Sequence, residues 1–150
     1  MARKLAKKLR GVVLSTDKIR KRIIKEPTYS KEEKELVYRV MLLTAEYLLR
    51  SGVTVILDGT FYLRSLRERV YSMASGTRSR LVIVECTCPE KVIKRRMERR
   101  QGKISLSDAD YEVYKKIKAV YEPIRRSHIT VDTSKSLSHT LDEVLTHIRG

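Results

Sequence analysis

The chain has 150 residues, of which 41% are hydrophobic and 34% are charged, which is enough for one domain with its own core but short for two. Its 33 Lys and Arg residues outnumber 18 Asp and Glu residues, so the formal net charge is +15. Such a field concentrates anions and favours nucleotide or polynucleotide partners, although basic surfaces also arise as mere solvated faces. No run approaches the roughly 18 apolar residues of a membrane span, so we expect a cytoplasmic protein without membrane contact.

The first half of the chain is predicted to alternate helices and strands. Ser30 and Glu33 have the spacing of a capping box, and Gly52 is a plausible stop for the helix that follows. The predicted elements are a helix over 2–10, a buried strand within 11–17, a helix from Ser30 to Gly52, a strand over 53–57 and a helix over 63–74. The apolar face of the long helix is predicted to comprise Leu36, Val40, Met41, Leu43, Tyr47 and Leu48.

The second half continues the alternation. The predicted elements are a strand over 81–87, a basic helix over 89–100, a break over 101–106, a helix over 108–121 capped by Ser107 and Asp110, a strand within 128–134 and a last helix carrying Leu141, Val144, Leu145 and Ile148. Nearly continuous apolar strands separated by helices are typical of a parallel sheet covered on both faces. We therefore predict one α/β domain over 1–150, a sandwich built on a parallel sheet.

Polar residues follow each predicted strand. Asp17, Asp58, Thr87 and Asp132 all fall at the carboxyl edge of the sheet, where parallel sheets bind their ligands. Cys86 and Cys88 form a lone C-x-C pair without a second pair nearby, so we favour reduced, structural thiols over a zinc site.

Five motifs occur in an order that resembles the small P-loop kinases, the group that includes polynucleotide 5′-hydroxyl kinases, adenylylsulfate kinases, zeta-toxin-like kinases and seryl-tRNA kinases. The motifs are VVLSTDKIR, GVTVILDGTF, VIVECTCPEKVIKRRMERR, SDADYEVY and VDTS. The resemblance covers nearly the whole chain. The resemblance implies a three-layer P-loop fold with strand order 2-3-1-4-5. It also implies phosphoryl transfer from ATP with Mg²⁺ to a hydroxyl group.

The resemblance assigns the D-x-x-R of STDKIR to the acceptor. Asp17 would orient or deprotonate the hydroxyl, and Arg20 would hold an anionic part of the substrate. The i, i+3 spacing puts both residues on one helix face. The alternative for Asp17 is a simple helix cap.

Asp58 matches the Walker B position, where a carboxylate holds Mg²⁺ directly or through water. Thr60 and Phe61 would then face the acceptor pocket as substrate-binding residues. An Asp in an ordinary turn between strand and helix is the alternative.

Four arginines match the basic lid helix of the group, whose planar, permanently charged side chains offset phosphoryl charge. Arg95 and Arg99 share one helix face, and Arg96 and Arg100 share another. We assign Arg96 and Arg100 to catalysis and the other pair to nucleotide binding, although one pair is expected to face solvent. The nucleotide-binding set is Arg95, Arg99, Asp132 and Thr133, the last two near the adenine ring or in a simple loop.

The sequence departs from the family at the phosphate-binding loop. The pattern G-x-x-x-x-G-K-[ST], whose backbone amides cradle phosphate, does not occur, and Gly102-Lys103-Ile104 is the nearest approach. The helix over 2–10 looks like the one that follows this loop. We therefore expect Met1 to be an internal methionine with roughly 15 to 20 further residues upstream, enough for one strand and the loop. The alternative is that the gene encodes a decayed kinase.

The chain as given is accordingly predicted to bind ATP poorly, with kinase activity residing in a longer form. The acceptor remains open between an RNA, tRNA or DNA end and a small metabolite. The rival hypothesis is a noncatalytic nucleic-acid-binding protein on a degenerate kinase scaffold.

Overall fold

The chain alternates helices with short parallel strands, and the computed structural model describes residues 1–99 and 111–150. The described chain divides into an N-terminal unit, Ala2–Leu81, and a C-terminal unit formed by Val82–Gly150 together with Met1. The N-terminal unit contains α1 (Ala2–Leu9), β1 (Val12–Ser15), α2 (Thr16–Ile23), α3 (Lys31–Arg50), β2 (Val55–Asp58) and α4 (Arg64–Gly76). The C-terminal unit contains β3 (Val84–Thr87), α5 (Glu90–Glu98), α6 (Tyr111–Ala119), β4 (Ile129–Asp132) and α7 (Leu137–Arg149).

Strands β1 and β2 pair in parallel, with Val12 opposite Val55 and Ser15 opposite Asp58. Gly11 makes this approach possible, because a Cβ at Gly11 would lie only 2.7 Å from the carbonyl oxygen of Thr54. Strand β1 thus begins at a position where a side chain would push the pair apart.

Helix α3 covers this pair with a face that matches the predicted one only in part, since Met41 belongs to both. Its buried residues are Glu33, Val37, Tyr38, Met41 and Ala45, and Tyr38 and Met41 pack with Leu66 of α4. The predicted apolar face was wrong for three residues: Leu36, Leu43 and Tyr47 are 44%, 58% and 69% exposed. Because α3 carries apolar residues around much of its circumference, spacing alone does not select the stripe that packs.

The capping of α3 follows the predicted capping box in part. Ser30 Oγ accepts a hydrogen bond from the Glu33 amide at 3.1 Å. Instead of turning back to Ser30, the Glu33 carboxylate accepts hydrogen bonds from the amides of Thr28 and Tyr29, at 2.6 and 3.0 Å. Glu33 therefore fixes the chain that leads into α3, and Tyr29 adopts a left-handed φ of 57° there.

In the C-terminal unit, β3 and β4 pair in parallel, with Val84 opposite Ile129 and Thr87 opposite Asp132. Val131 of β4 and Val144 of α7 are fully buried. Helix α7 is capped at its N-terminus by Ser136, whose hydroxyl accepts a hydrogen bond from the His139 amide at 3.3 Å. The core of this unit is thus built by α7 against β4.

The α/β class with parallel strands is confirmed. If β1 to β4 correspond to the second to fifth strands of the expected sheet, both observed pairs are neighbours in the order 2-3-1-4-5, and the complete order stays a prediction. The predicted break over 101–106 and the cap at Ser107 and Asp110 lie outside the described residues. Within the described chain, no helix is long and apolar enough to cross a membrane.

Candidate active site

Two carboxylates emerge from the same edge of the β1–β2 pair. Asp58 ends β2 opposite Ser15, and Asp17 follows Ser15 by two residues in the first turn of α2. Asp58 is exposed and the Asp17 side chain is 37% exposed. The structure therefore brings together the two acidic residues that the sequence assigned to a site.

The two chain segments behind these carboxylates approach closely at Gly59. A Cβ at Gly59 would lie 2.9 Å from Cγ2 and 3.4 Å from Oγ1 of Thr16. Thr16 is the first residue of α2 and is buried. The spacing between Asp17 and Asp58 consequently depends on the absence of a side chain at Gly59.

The loop after Gly59 is held by two residues that sequence reasoning did not identify. The Phe61 amide donates to the Tyr38 hydroxyl at 3.3 Å, and Arg67 Nη1 donates to the Phe61 carbonyl at 2.8 Å. The Phe61 ring meets the Tyr38 ring edge-on at 5.3 Å. Phe61 has a φ of 35°, an uncommon conformation for a bulky residue that its surroundings must maintain.

Both residues that hold the Phe61 loop, Tyr38 and Arg67, are buried. Burial raises the pKa of Tyr38 above 10.0, and the hydrogen bond from Phe61 only partly opposes this effect, so the phenol stays protonated. Arg67 is 6% exposed. A signal for Arg67 does exist in the sequence, because it lies within the apolar stripe of α4, between Leu66 and Val70.

Arg20 lies between two carboxylates. Its Nη1 is 3.3 Å from Asp17 Oδ1 and its Nε is 2.9 Å from Glu33 Oε1. The guanidinium also covers the Tyr29 ring at 5.0 Å, and the Arg20 side chain is only 11% exposed. The predicted proximity of Arg20 and Asp17 is observed, whereas Glu33 was foreseen only as a helix cap.

In the C-terminal unit, Arg96 contacts the segment that follows β4. Its Nη2 donates to the Thr133 carbonyl at 2.7 Å, and its Nη1 lies 3.7 Å from Cys88 Sγ. Arg95 and Arg99 are exposed, and Arg100 lies outside the described residues. The structure thus brings Arg96, which the sequence assigned to catalysis, into contact with Thr133, which it assigned to nucleotide binding.

Asp132 is engaged in its own turn. The hydroxyl of Ser134 and its amide, the latter at 2.8 Å from Oδ1, lower the pKa of Asp132. The amide and hydroxyl of Thr133 both donate to the Thr87 carbonyl, at 2.8 and 2.9 Å. This turn is therefore rigidly tied to β3, and its carboxylate remains charged at neutral pH.

The carboxylates at the edge of the β1–β2 pair are compatible with a Mg²⁺ ion that the protein binds together with waters and substrate. Within the described chain, no group of three or more His, Cys, Asp or Glu residues could hold a metal ion. Mg²⁺ is commonly bound by one or two carboxylates with waters and substrate phosphates. The exposed Asp58 fits that role at a strand end, as one ligand among nonprotein oxygens.

The chain is similar to a known protein family over most of its length. Residues 1–124 match the model of a family described as an AAA domain, AAA_33. An uncharacterized protein of Mycobacterium tuberculosis is 34% identical over 125 residues, which are 75% of this chain and 25% of that protein. The chain therefore spans about a quarter of the length of that relative.

Solved kinase structures superpose on nearly the whole chain. A sugar kinase from Janibacter sp. HTCC2649 is 17% identical with a TM-score of 0.75, covering 99% of this chain and 85% of that one. The APS kinase of M. tuberculosis, in complex with AMPPNP and APS, is 18% identical with a TM-score of 0.72, covering 99% and 88%. The chain belongs to the AAA domain family, and its fold is that of the small P-loop kinases.

Proposed function

We propose that this domain serves phosphoryl transfer from ATP, with Mg²⁺, to a hydroxyl acceptor. The observation that carries the proposal is the pairing of Ser15 with Asp58, because it places Asp17 and Asp58 at one edge of one parallel pair. Kinases of this fold need an acceptor-side carboxylate and a metal-side carboxylate at such an edge.

The two carboxylates take different roles. Asp17 accepts or orients the proton of the attacking hydroxyl, and Asp58 is one ligand of Mg²⁺. When bound, the metal offsets charge on the nucleotide phosphates. Thr60 and Phe61 line the acceptor side, and the fixed loop around Phe61 supports precise placement of that substrate.

Arg20 holds an anionic part of the acceptor in this proposal. Its Nε and Nη1 face Glu33 and Asp17, so a substrate anion would contact Nη2 or replace one of these contacts. Since a guanidinium has five N–H donors in a fixed fork, it can serve a protein carboxylate and a ligand together.

The nucleotide side is proposed to lie in the C-terminal unit. Arg96 and Arg100 act on the transferring phosphoryl group, and Arg95 and Arg99 contact the nucleotide. Asp132 and Thr133 form the turn near the adenine ring. The contact between Arg96 and the Thr133 carbonyl supports a common location for these two residues.

The 150 residues contain no G-x-x-x-x-G-K-[ST] pattern. That loop supplies most backbone contacts to phosphate in P-loop proteins. We therefore propose that the 150 residues alone bind ATP weakly, and that efficient transfer belongs to a form that carries such a loop.

The test begins with the DNA directly upstream of the Met1 codon, translated in frame. If an apolar strand and G-x-x-x-x-G-K-[ST] precede Met1, the longer chain is assayed with Mg-ATP on 5′-hydroxyl oligonucleotides, tRNA and small alcohols. We expect labelling that is lost in Asp17→Asn, and that falls and requires a higher Mg²⁺ concentration in Asp58→Ala. Labelling that survives both substitutions unchanged would overturn the assignment.

A noncatalytic nucleic-acid-binding function is the second candidate, and one observation favours it. Tyr111 and Tyr114 stack on α6 at 5.8 Å, with Lys94 and Lys115 over the Tyr111 ring. Aromatic rings beside cations are typical of platforms for single-stranded nucleic acid. Steep salt dependence of oligonucleotide binding, unaffected by Mg-ATP, would support this function instead.

A further inference from the structure

We propose that Glu33 is a positioning residue, which acts through Arg20 to set the orientation of Asp17. This inference rests on the proposed function, in which Asp17 receives the acceptor hydroxyl. The contact sequence is direct: Glu33 Oε1 lies 2.9 Å from Arg20 Nε, and Arg20 Nη1 lies 3.3 Å from Asp17 Oδ1.

Glu33 is suited to hold a fixed position. Its side chain is 6% exposed, and its other oxygen, Oε2, accepts from the amides of Thr28 and Tyr29 and from the Thr28 hydroxyl. Burial tends to raise the pKa of Glu33, but these hydrogen bonds and the charge of Arg20 together lower it below 4.5. The residue is therefore a buried, ionised anchor at neutral pH.

The contact between Glu33 and Arg20 is an ion pair without hydrogen-bond geometry. Arg20 Nε and Glu33 Oε1 are both buried and have no hydrogen-bond partner among the described residues, despite their separation of 2.9 Å. A buried charge left without its counter-charge is strongly unfavourable. Arg20 is consequently confined between Glu33 and Asp17, with the Tyr29 ring against its guanidinium.

This confinement gives Asp17 a defined neighbour on one side. The same guanidinium plane contacts both carboxylates, so a displacement of Arg20 changes the position and the electrostatic surroundings of Asp17 together. Geometry of this kind matters in catalysis because a misplacement of about 1 Å can reduce a rate by about 10²-fold.

The first test is a double-mutant cycle on the unfolding of the full chain, with Glu33→Gln and Asp17→Asn. We expect the two substitutions to be coupled by a factor of about 3 to 100 in the unfolding equilibrium constant. The matched control is Glu35→Gln, since Glu35 is an exposed carboxylate on the same helix and pairs with Arg69 at 2.9 Å. Its cycle with Asp17→Asn should be additive within about twofold.

Additivity of the Glu33 cycle, at the level of the Glu35 control, would overturn the proposal. If Glu33→Gln does not fold, Glu33→Asp takes its place, because it keeps the charge but withdraws it from Arg20. The cycle of Glu33→Asp with Asp17→Asn is then measured in the same way, and coupling supports the proposal whereas additivity overturns it.

A spectroscopic measurement separates positioning from a purely structural role. The ¹³Cγ resonance of Asp17 should move in Glu33→Gln and stay in place in Glu35→Gln. An Asp17 resonance that is identical in the wild type and in a folded Glu33→Gln variant would show that Glu33 does not act on Asp17.

Kinetics distinguish failure of this inference from failure of the proposed function. In a form that transfers phosphate, Glu33→Gln should lower kcat by about 10²-fold while the KM for ATP changes less than about twofold. Transfer that requires Asp17 but not Glu33 would refute the inference alone. Absence of transfer to every acceptor class, with the coupling and the resonance shift intact, would refute the proposed function alone.

Discussion

Replacement of Gly59 by alanine tests whether the close approach behind the two carboxylates is essential. A Cβ at this position would lie 2.9 Å from Thr16 Cγ2. Carbon atoms in ordinary contact are about 3.5–4.0 Å apart, so the new methyl group would be at least about 0.6 Å too close. Thr16 is buried and opens α2, so relief would require movement of the segment that carries Asp17.

The expected cost follows from overpacking. Insertion of a methyl group into a well-packed site typically destabilises a protein by about 1–3 kcal/mol, a large share of the roughly 5–15 kcal/mol that stabilises a domain. Thr16→Ser removes Cγ2, at a cost of about 0.8 kcal/mol for the lost methyl group. In the Thr16→Ser background, Gly59→Ala should therefore be less destabilising than in the wild type.

The assay is urea unfolding followed by circular dichroism, because the chain has no tryptophan. Gly76→Ala is the matched control: a Cβ at Gly76 meets nothing within 4 Å, and alanine in a helix is favoured over glycine by up to about 1 kcal/mol. The reasoning would be refuted if Gly59→Ala were as harmless as Gly76→Ala, or if Thr16→Ser left its cost unchanged.

Three further predictions concern the N-terminal unit and the N-cap of α7. Folding lowers the pKa of Glu33, so its contribution to stability is complete above pH 4.5 and is lost as the pH falls through the pKa of the folded state. In Glu33→Gln, the free energy of unfolding should therefore depend less steeply on pH in acid. A pH dependence identical to that of the wild type would contradict this. Met41→Ala should lower the free energy of unfolding by about 2–5 kcal/mol, because Met41 is fully buried. Leu43→Ala should change it by less than about 0.5 kcal/mol, because Leu43 is 58% exposed. Equal urea midpoints for the two variants would refute the assignment of the buried face. Ser136→Ala should lower the free energy of unfolding by about 0.5–2 kcal/mol through loss of the α7 N-cap. Substitution of the exposed Ser138 by alanine is the control, and equal melting temperatures for the two variants would contradict the role of the cap.

The sequence was informative where a local pattern decides the structure. Strand β2 and the edge position of Asp58 followed from an apolar run that ends in an acid, and the Ser30 cap followed from residue spacing. The face of α3 did not follow, because the choice between its apolar stripes depends on α4 and the strands that pack against it. Leu43 and Met41 look alike in sequence, and only tertiary packing separates them.

The residues that hold the candidate site are signalled only in part by the sequence: Arg67 lies within the apolar stripe of α4, but no pattern identifies its partner. Glu33 and Arg67 are buried, while charged residues are rarely buried unless they are paired. Their partners are backbone groups of the loops at Thr28, Tyr29 and Phe61. A loop conformation cannot be read from periodicity, so the sequence gives no way to pair these charges with those backbone atoms.

The contacts of the two units differ in a way that suits their proposed roles. Arg67 binds the Phe61 loop from a buried position, and Glu33 contacts Arg20 from another. The Arg96 contact with the Thr133 carbonyl is instead exposed, and exposed polar contacts are weak because water competes for both groups. In its proposed lid role, Arg96 would exchange this carbonyl for a phosphate at little cost during each cycle. In its proposed role as acceptor base, Asp17 would need the opposite property, because such a base is useful only if its geometry is retained through the reaction.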